Sequence, residues 1–429
     1  MEFNQSSHSN NIDHHLHLQF NSNHDHHLLL HDHPQIPHLS SQLSLPSLPS
    51  LTSQSHNHYQ YPNSDTTNTI HHHCLTTFKC QTTTLTTSYI SSLTVAGKSI
   101  ITATSDGEIR SWNLDEEKNY NSIDYNILMA AGKGAVKSLV VSGHEKLLFS
   151  AHQDHKIRVW KIENHHDQHT DHKKLSRLAT LPTLSDRASK LLIPNNHVQI
   201  RRHKKCTWVH HVDTVSALAL SMDEQLLYSV SWDRTLKIWR TADFKCLESV
   251  RNAHDDAINA VAASVDGYIY TGSADKKIKI WKKNMEEKKH CLVGSLEKHN
   301  SGINALALSS DGSVLYSGAS DRSIVVWEKD SGGIMEVVGA LRGHSKSILC
   351  LAVVEDVIFS GSADQSIRIW RGKDRNYSCL GVLEGHSGPV KCLTAEIDDC
   401  NSCEDGNSYL VYSGGLDGDI KVWQIIVPN

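Results

Sequence analysis

No stretch of this 429-residue sequence approaches the run of about 18 apolar residues that a transmembrane helix requires, so such a helix is excluded. Residues 1–73 contain neither lysine nor arginine, which argues against an Arg-rich organellar transit peptide. The opening residues MEFNQSSHSN also lack the basic end and the apolar core of a secretory signal. We therefore expect a cytoplasmic protein, with the nucleus as a second location.

The sequence also lacks a glycine-rich loop that leads into a helix, the arrangement that holds a nucleotide phosphate. Its 10 cysteines fall mostly at positions of a repeat, which is typical of reduced packing residues and not of a disulfide framework. Cys400 and Cys403 form a C-x-x-C pair, but one such pair is only half of a zinc site. We expect neither a cofactor nor a metal centre.

What the sequence does contain is one short pattern, an Asp followed six residues later by a Trp, repeated seven times. The pairs are Asp106/Trp112, Asp154/Trp160, Asp233/Trp239, Asp275/Trp281, Asp321/Trp327, Asp364/Trp370 and Asp417/Trp423. Repeats spaced by about 40–50 residues indicate a solenoid or a propeller. Such a fold offers a binding surface before it offers a catalytic site.

Further columns align around each Asp. The residue four positions earlier is always Ser or Thr: Thr102, Ser150, Ser229, Thr271, Ser317, Ser360 and Ser413. The residues before each Trp alternate between apolar and mostly basic side chains, which predicts a β-strand with one wetter face. A second alternating stretch lies upstream, and its third residue is always small: Ser92, Ser138, Ala217, Ala260, Ala305, Cys350 and Cys392. Small side chains suit strands that converge on a narrow central channel.

Five copies carry a His four residues before this upstream strand: His211, His254, His299, His344 and His386. A third strand between the other two and an outer strand that begins Cys-Leu in four places give four short strands per repeat, the content of a propeller blade. We predict an all-β fold, a seven-bladed β-propeller. At these residues the sequence resembles the WD-repeat β-propeller family over about residues 73–429, one insertion excepted. The resemblance implies a structural hydrogen-bond network in each blade, which links the His, the Ser or Thr, the Asp and the Trp.

The sequence departs from the family pattern in two ways. None of the seven Trp residues is followed by Asp, and the first two copies lack the His, with Thr86 and Gly132 in its place. We expect the hydrogen-bond network to be weakest in the first two blades.

Closure of the ring requires a strand from the N-terminal side. The last repeat has no outer strand after its Trp, while a spare Cys-Leu copy stands at Cys74–Cys80, before the first blade. We predict that this segment pairs into the last blade, because an open propeller would leave an unpaired strand edge.

Two segments lie outside the repeat pattern. Residues 1–72 are low in complexity and rich in His, Ser, Asn, Leu and Pro, which predicts a disordered tail. Weak binding of divalent metal by this tail is the alternative, and its SLPSLPSL stretch (44–51) is a candidate docking or phosphorylation segment. The insertion at about 163–207 contains RRHKK (201–205), which is open to three interpretations: a solvated charge cluster, a nuclear import signal or a nucleic-acid patch.

The insertion also resembles a plant subfamily of WD-repeat proteins, the JINGUBANG-like group. The residues that carry this resemblance are LSRLATLPTLSDR and VQIRRHKKCTWVHHVDTVSALAL, together with the Leu-Pro-Ser stretch of the tail. It implies a plant regulator that acts through protein contacts, including contacts with transcription factors.

Ser, His and Asp within one repeat also occur in catalytic triads. A nucleophilic site needs one such constellation beside a pocket and an oxyanion hole, whereas here the residues recur in every copy or in five of seven. We therefore interpret them as structural and expect no enzyme activity.

We expect functional residues at positions on the rim of the blades where one repeat carries a different residue type from the others. The residue before the Asp is Trp232 in the third copy, and exposed Trp is a preferred hot-spot residue at interfaces. The same rim is expected to hold Arg234, Arg322, Asp213, Asp256 and Lys346. The alternative is that Trp232 packs on its own loop and contacts no other molecule.

We interpret the protein as a monomeric, non-enzymatic scaffold that binds other proteins or peptides. One alternative is a substrate receptor of a ubiquitin ligase, for which only Trp327-Glu328 supplies the acidic residue after a Trp. The other is an RNA-binding propeller that uses RRHKK, although we expect nucleic acid to be an unlikely partner.

Overall fold

The computed structural model describes residues 48–51, 70–80, 88–113, 126–132, 134–144, 146–167, 170–191, 197–201, 204–373, 375–398 and 406–428. Most of the expected tail, the C-x-x-C pair and Thr86 therefore lie outside the described residues, as do Arg202 and His203 of the basic run.

Within the described residues, seven antiparallel four-stranded sheets form, one for each repeat, so the predicted seven-bladed propeller is confirmed. Blade 1 consists of β2 (Ile90–Ala96), β3 (Ser99–Thr104), β4 (Glu108–Asn113) and β5 (Asn126–Ala131). Blade 2 consists of β6 (Val136–Ser142), β7 (Leu147–His152), β8 (Ile157–Asp167) and β9 (Thr170–Leu181). Blade 3 consists of β12 (Val215–Leu220), β13 (Leu226–Ser231), β14 (Leu236–Arg240) and β15 (Cys246–Val250). Blade 4 consists of β16 (Ile258–Ala263), β17 (Tyr268–Ser273), β18 (Lys277–Asn284) and β19 (Lys289–Glu297).

The remaining blades follow the same order from the inner to the outer strand. Blade 5 consists of β20 (Ile303–Leu308), β21 (Val314–Ala319), β22 (Ser323–Lys329) and β23 (Met335–Arg342). Blade 6 consists of β24 (Ile348–Val354), β25 (Val357–Ser362), β26 (Ile367–Lys373) and β27 (Asn376–Leu383). Blade 7 consists of β28 (Val390–Ile397), β29 (Gly406–Gly415), β30 (Asp419–Pro428) and, from the other end of the repeats, β1 (His71–Lys79).

The predicted closure is confirmed, because β1 pairs antiparallel with β30 from His71 opposite Ile426 to Lys79 opposite Asp419. Strand β1 begins two residues before the expected boundary at residue 73. Phe78 is buried, and its ring lies 5.3 Å from that of Trp112 in blade 1. Strand β1, which we call the latch, therefore completes blade 7 and also joins it to blade 1.

The inner strands surround the central axis, and each contacts the inner strand of the next blade, including β28 with β2. Side chains on these strands also bond across blades: the Asn259 amide donates to Ile303 O (2.9 Å) and the Asn304 amide to Ile348 O (2.8 Å). Ser92, one of the small residues of the channel column, accepts a hydrogen bond from the Leu139 N–H (3.0 Å). These bonds fix each blade to its neighbour.

Apolar clusters fill the space between blades and form the core. Between blades 6 and 7, Phe359 lies against Tyr409 with ring centroids 6.3 Å apart, and Trp423 and Val390 are buried in the same cluster. Each blade Trp is buried in this way, since all seven are at most 8% exposed. Burial of an aromatic side chain contributes about 1.5–3 kcal/mol, so the repeated Trp residues are a large part of the core.

The insertion lengthens the β8–β9 hairpin and continues into a short helix, α1 (Leu184–Leu191), and a small hairpin of β10 (His197–Arg201) and β11 (Lys204–Thr207). Asp186 in the first turn of α1 is buried, and its carboxylate accepts the Cys246 N–H at 2.7 Å. This bond ties the insertion to the outer strand of blade 3.

In the part of the chain that the structure describes, no helix has the length and hydrophobicity that crossing a membrane demands.

Candidate functional site

A chain of hydrogen bonds links the His, the Ser or Thr, the Asp and the Trp inside five of the blades, as blade 4 illustrates. The Trp281 indole N–H donates to Thr271 Oγ1 (2.9 Å), Thr271 Oγ1 lies 2.8 Å from His254 Nε2, and His254 Nδ1 lies 2.8 Å from Asp275 Oδ2. His254 and Thr271 are completely buried. The chain thus connects the loop before the inner strand to the turn that bears the Asp.

Blades 3, 5, 6 and 7 repeat this geometry. The His Nδ1 lies 2.9–3.3 Å from the Asp carboxylate, and the His Nε2 lies 2.8 Å from the Ser hydroxyl. The members are His211/Ser229/Asp233/Trp239, His299/Ser317/Asp321/Trp327, His344/Ser360/Asp364/Trp370 and His386/Ser413/Asp417/Trp423.

The direction of donation fixes the histidine tautomer. Because an ionised carboxylate can only accept, the His Nδ1–H donates to it, and the unprotonated Nε2 of that tautomer accepts from the hydroxyl, which in turn accepts the Trp N–H. A neutral imidazole with its proton on Nδ1 satisfies every member. The His is therefore a structural bridge between a hydroxyl and a carboxylate.

The Asp carboxylates stay charged despite their burial. Burial alone would raise the pKa of Asp275, but its interaction with His254 and its hydrogen bonds from the N–H groups of Lys277 and Asp255 outweigh this effect and bring the pKa to about 2. The same balance lowers the pKa of Asp417 to about 2. It holds the pKa values of Asp233, Asp321 and Asp364 well below the usual range.

Blades 1 and 2 lack the loop His, and each replaces the bridge differently. In blade 2, His152 comes from the end of β7, and its Nε2 lies 2.8 Å from Ser150 Oγ, which also accepts from the Trp160 indole (2.8 Å). Asp154 is held by both guanidinium nitrogens of Arg158, at 3.1 and 2.6 Å. In blade 1, the Thr104 hydroxyl donates to Asp106, and the Trp112 indole donates to Thr102 Oγ1 (2.7 Å).

His152 should make the stability of the protein depend on pH. Its burial, then the charge of Arg158, lower its pKa to about 3, against about 6.5 in an unfolded chain. Because the unfolded state alone takes up this proton, the stabilisation is complete above pH 6.5 and declines as the pH falls toward 3. Between pH 7 and pH 5, we expect the wild type to lose up to about 2 kcal/mol more unfolding free energy than His152→Gln, because the variant lacks this imidazole.

Denaturant titrations at the two pH values measure this difference. Since all other histidines remain in both proteins, parallel pH dependences would contradict the assignment to His152.

The turns that bear the Asp and the loops that bear the His lie on one face of the propeller. Backbone bonds join them in every blade, as where the Trp232 N–H donates to Thr214 O (3.1 Å) and the Ser320 N–H to Gly302 O (3.0 Å). We call the exposed side chains Trp232, Arg234, Arg322, Asp213, Asp256 and Lys346 the turn face. All six candidate partner-binding residues thus lie on the same exposed surface.

Trp232 is 37% exposed, although the equivalent residue in other blades is mostly small or polar. The equivalent Ala363 of blade 6 is buried, so this position is not exposed in every blade. The Lys137 ammonium lies 5.6 Å from the centre of the Trp232 ring, a cation–π contact between blades 2 and 3.

The residue after each Asp adopts a left-handed backbone conformation in all seven turns. Two of these residues are glycines, and the others are His155, Arg234, Lys276, Arg322 and Gln365, with φ between 65° and 74°. This conformation costs a residue with a Cβ about 1–2 kcal/mol relative to its preferred regions. Long side chains are present here in spite of that cost, and three of the five are Arg or Lys.

Two lysines of this region were missed by the sequence analysis. Lys137 and Lys391 hold the second position of the inner strands, where other blades have Ser, Asn or Leu. Burial, and then the charge of Lys391, lower the pKa of Lys137 to about 8. The sequence signal for both is their positive charge at a position where the other five copies have uncharged residues.

The acidic residue that the ligase-receptor alternative requires is engaged within the protein. Glu328 accepts hydrogen bonds from the Arg375 guanidinium (2.9 Å) and the Tyr377 hydroxyl (3.4 Å).

In the described part of the chain, no three His, Cys, Asp or Glu side chains are placed to hold a metal ion. Free thiols there include Cys74, Cys80, Cys246, Cys291, Cys350, Cys379 and Cys392. Burial raises the pKa of Cys350 to about 12, which keeps that thiol protonated.

The fold is a closed ring of seven blades, and each blade contains a buried Trp hydrogen-bonded to a hydroxyl and a turn that bears an Asp. These features define a repeat propeller with an interaction face. The sequence matches the family model described as WD domain, G-beta repeat, at residues 126–161, 203–240, 244–282, 290–328, 335–371 and 377–424. These matches cover more than half of the chain, and the chain belongs to the WD40-repeat family. Propellers of this family are typically non-enzymatic and bind other proteins.

Among curated proteins, the chain is similar to the telomerase protein component 1 of Rattus norvegicus, with 24% identity over 52% of this chain and 9% of that protein. It is 22% identical to autophagy-related protein 16 of Arabidopsis thaliana over 62% of this chain and 52% of the relative. It is also 22% identical to the ribosome biogenesis protein YTM1 of Eremothecium gossypii, over 79% of this chain and 64% of the relative. The chain thus spans about half or less of the first two relatives.

Proposed function

We propose that this chain is a non-enzymatic regulatory adaptor whose turn face binds a partner protein, with transcription factors among the partners. It acts as a monomer in the cytoplasm and in the nucleus. The resemblance of its insertion to the JINGUBANG-like plant group supports a role in plant regulation through protein contacts.

The observation that carries the proposal is the exposed Trp232 within a charged surface. Interface hot spots are enriched in Trp and Arg, and Trp232 stands near Arg234 in the same turn. Lys137 above the indole and the cations that follow the Asp residues favour a partner segment that combines an acidic residue with an apolar side chain.

We expect Trp232→Ala to weaken partner binding by about 2 kcal/mol, or roughly thirtyfold in Kd, and to leave the melting temperature unchanged. The stability should hold because the ring is exposed and its blade keeps the buried Trp239. Affinity capture from native tissue, followed by titration of the captured partner, measures the effect.

Met285→Ala is the matched control, since Met285 is 82% exposed but stands in the turn at the other end of its blade. A partner that binds the wild type and both variants equally would remove Trp232 from the site. Binding that is lost on raising the salt concentration, and on mutating Arg201, Lys204 and Lys205, would instead favour RNA.

A further inference from the structure

Four residues from the N-terminal side of the repeats lie along the outer edge of blade 5 and form a β-bridge with it. The LPSL segment, Leu48–Leu51, runs parallel to β23 and pairs Ser50 with Ala340. The Ala340 N–H donates to Pro49 O (3.1 Å), and the Leu51 N–H donates to Ala340 O (3.0 Å). These residues were expected to belong to the disordered tail. In the structure they form hydrogen bonds with both the N–H and the C=O of Ala340, which lies on the edge strand of the blade.

The two leucines anchor the LPSL segment on opposite sides of the blade. Leu48 packs against the cluster that contains Tyr270 and Trp327, between blades 4 and 5. Leu51 packs against the cluster that contains Tyr316 and Trp370, between blades 5 and 6. A residue spacing of three places side chains on opposite faces of a strand, as this arrangement requires.

Gly339 provides the space that Leu51 fills. A Cβ built on Gly339 would lie 2.6 Å from Leu51 Cγ and 3.0 Å from Pro49 O, so any side chain there would displace the segment. Gly339 stands opposite Val326, directly before the blade Trp, and Gly294 in blade 4 holds the equivalent place opposite Ile280. A Cβ on Gly294 would meet only the Ile280 side chain, at ordinary contact distance.

The difference between the two edges shows what the LPSL segment covers. In blade 5, Gly339 and Ala340 are buried. In blade 4, where β19 is the edge strand of its sheet, Ser295 is exposed, and Leu292 and Val293 are 49% and 54% exposed.

We propose that the outer edge of blade 5 is a peptide-docking site for extended segments of the pattern Leu-Pro-x-Leu, which the LPSL segment of this chain occupies as a resident ligand. The described contacts that hold it include two main-chain hydrogen bonds and two partly buried leucines. Its β-pairing with β23 is one isolated bridge, and a pairing of this length is marginally stable in water. A partner protein that presents the same pattern displaces it. This site is separate from the turn face and does not depend on the proposed function.

The test uses a fluorescent peptide of sequence SLPSLPSL and the full-length chain. Because the LPSL segment is tethered to its site, it competes at a local concentration on the order of millimolar, so the wild type should bind the peptide weakly. The double variant Leu48→Asp/Leu51→Asp releases the resident segment and should bind at least about tenfold more tightly.

Adding Gly339→Ala to the double variant should abolish this gain, whereas adding Gly294→Ala should leave it intact. Hydrogen exchange at the Ala340 amide gives an independent readout of docking in the otherwise wild-type chain. Its exchange should accelerate in Gly339→Ala and stay slow in Gly294→Ala. The melting temperature of each variant shows that its ring is folded.

No binding to the released chain, or binding that survives Gly339→Ala, would overturn the proposal. Trp232→Ala should leave peptide binding unchanged, so failure here and failure of the turn face are distinguishable.

Discussion

A chain that lacks residues 70–80 should lose several kcal/mol of unfolding free energy, a large part of the 5–15 kcal/mol of a typical domain. The deletion removes the main-chain hydrogen bonds between β1 and β30, each worth about 0.5–1.5 kcal/mol net. It also removes Phe78, whose burial against Trp112 contributes about 1.5–3 kcal/mol. The exposed edge of β30 would in addition become a template for aggregation.

Thermal unfolding and hydrogen exchange of β30 measure the effect. The experiment has a matched rescue: a synthetic peptide of residues 70–80 should restore the melting temperature at high concentration, because it supplies the same strand in trans. A truncated chain that melts with the wild type, or that ignores the peptide, would show that the latch contributes little.

Asp364→Ala should destabilise the protein by about 3 kcal/mol or more. The carboxylate accepts hydrogen bonds from His344 Nδ1 (2.9 Å), the Ser345 N–H (2.9 Å) and both the N–H and the hydroxyl of Ser366 (3.1 and 2.6 Å). Its removal leaves these donors without an acceptor in a largely buried site, and each stranded donor costs about 1–3 kcal/mol. His344 then also loses the partner that fixes its tautomer.

Asp106→Ala is the comparison, since blade 1 offers this carboxylate no described His. The described bonds to Asp106 include the Thr104 hydroxyl, and that hydroxyl keeps the Glu108 N–H (3.1 Å) and Glu108 O (3.3 Å) as partners in the variant. Denaturant titration of both variants should therefore give the smaller loss for Asp106→Ala. Equal losses would contradict the view that the His bridge sets the strength of a blade.

The sequence predicts the architecture well because repetition multiplies each weak signal. A single Ser, Asp and Trp at fixed spacing would mean little, but seven aligned copies identify strand, turn and buried indole together. The latch followed from counting strands, since one outer strand was missing and one spare copy existed. Both inferences depend on local pattern, which the fold preserves in every blade.

Where a blade lacks one residue of the repeated pattern, the side chain that takes over its contacts was not predictable in this way. In blade 2, His152 at the end of β7 contacts the Ser150 hydroxyl in place of a loop His, and its ring lies near Gly132, where a Cβ would come within 4.0 Å of it. The basic column before the Trp suggested a wet face, yet Lys237 is buried and donates to Trp208 O and Ser249 Oγ, both at 2.6 Å. Only the packing of neighbouring loops reveals such acceptors.

The LPSL segment was also invisible as structure, because four residues of low-complexity sequence carry no periodicity. Their place is set by a glycine on another strand, Gly339, and by the unpaired edge of β23. A contact of this kind is a property of two distant segments together.

The latch also imposes an order on biosynthesis. Thr77 and Lys421, which are joined by a 3.1 Å hydrogen bond across it, stand 344 positions apart in the chain. At roughly 10 residues per second, the ribosome needs about half a minute after making β1 before its pairing partner emerges. During that interval β1 must wait unpaired, and its sequence HHHCLTTFK, with few large apolar residues, suits a nascent segment that has to avoid premature association.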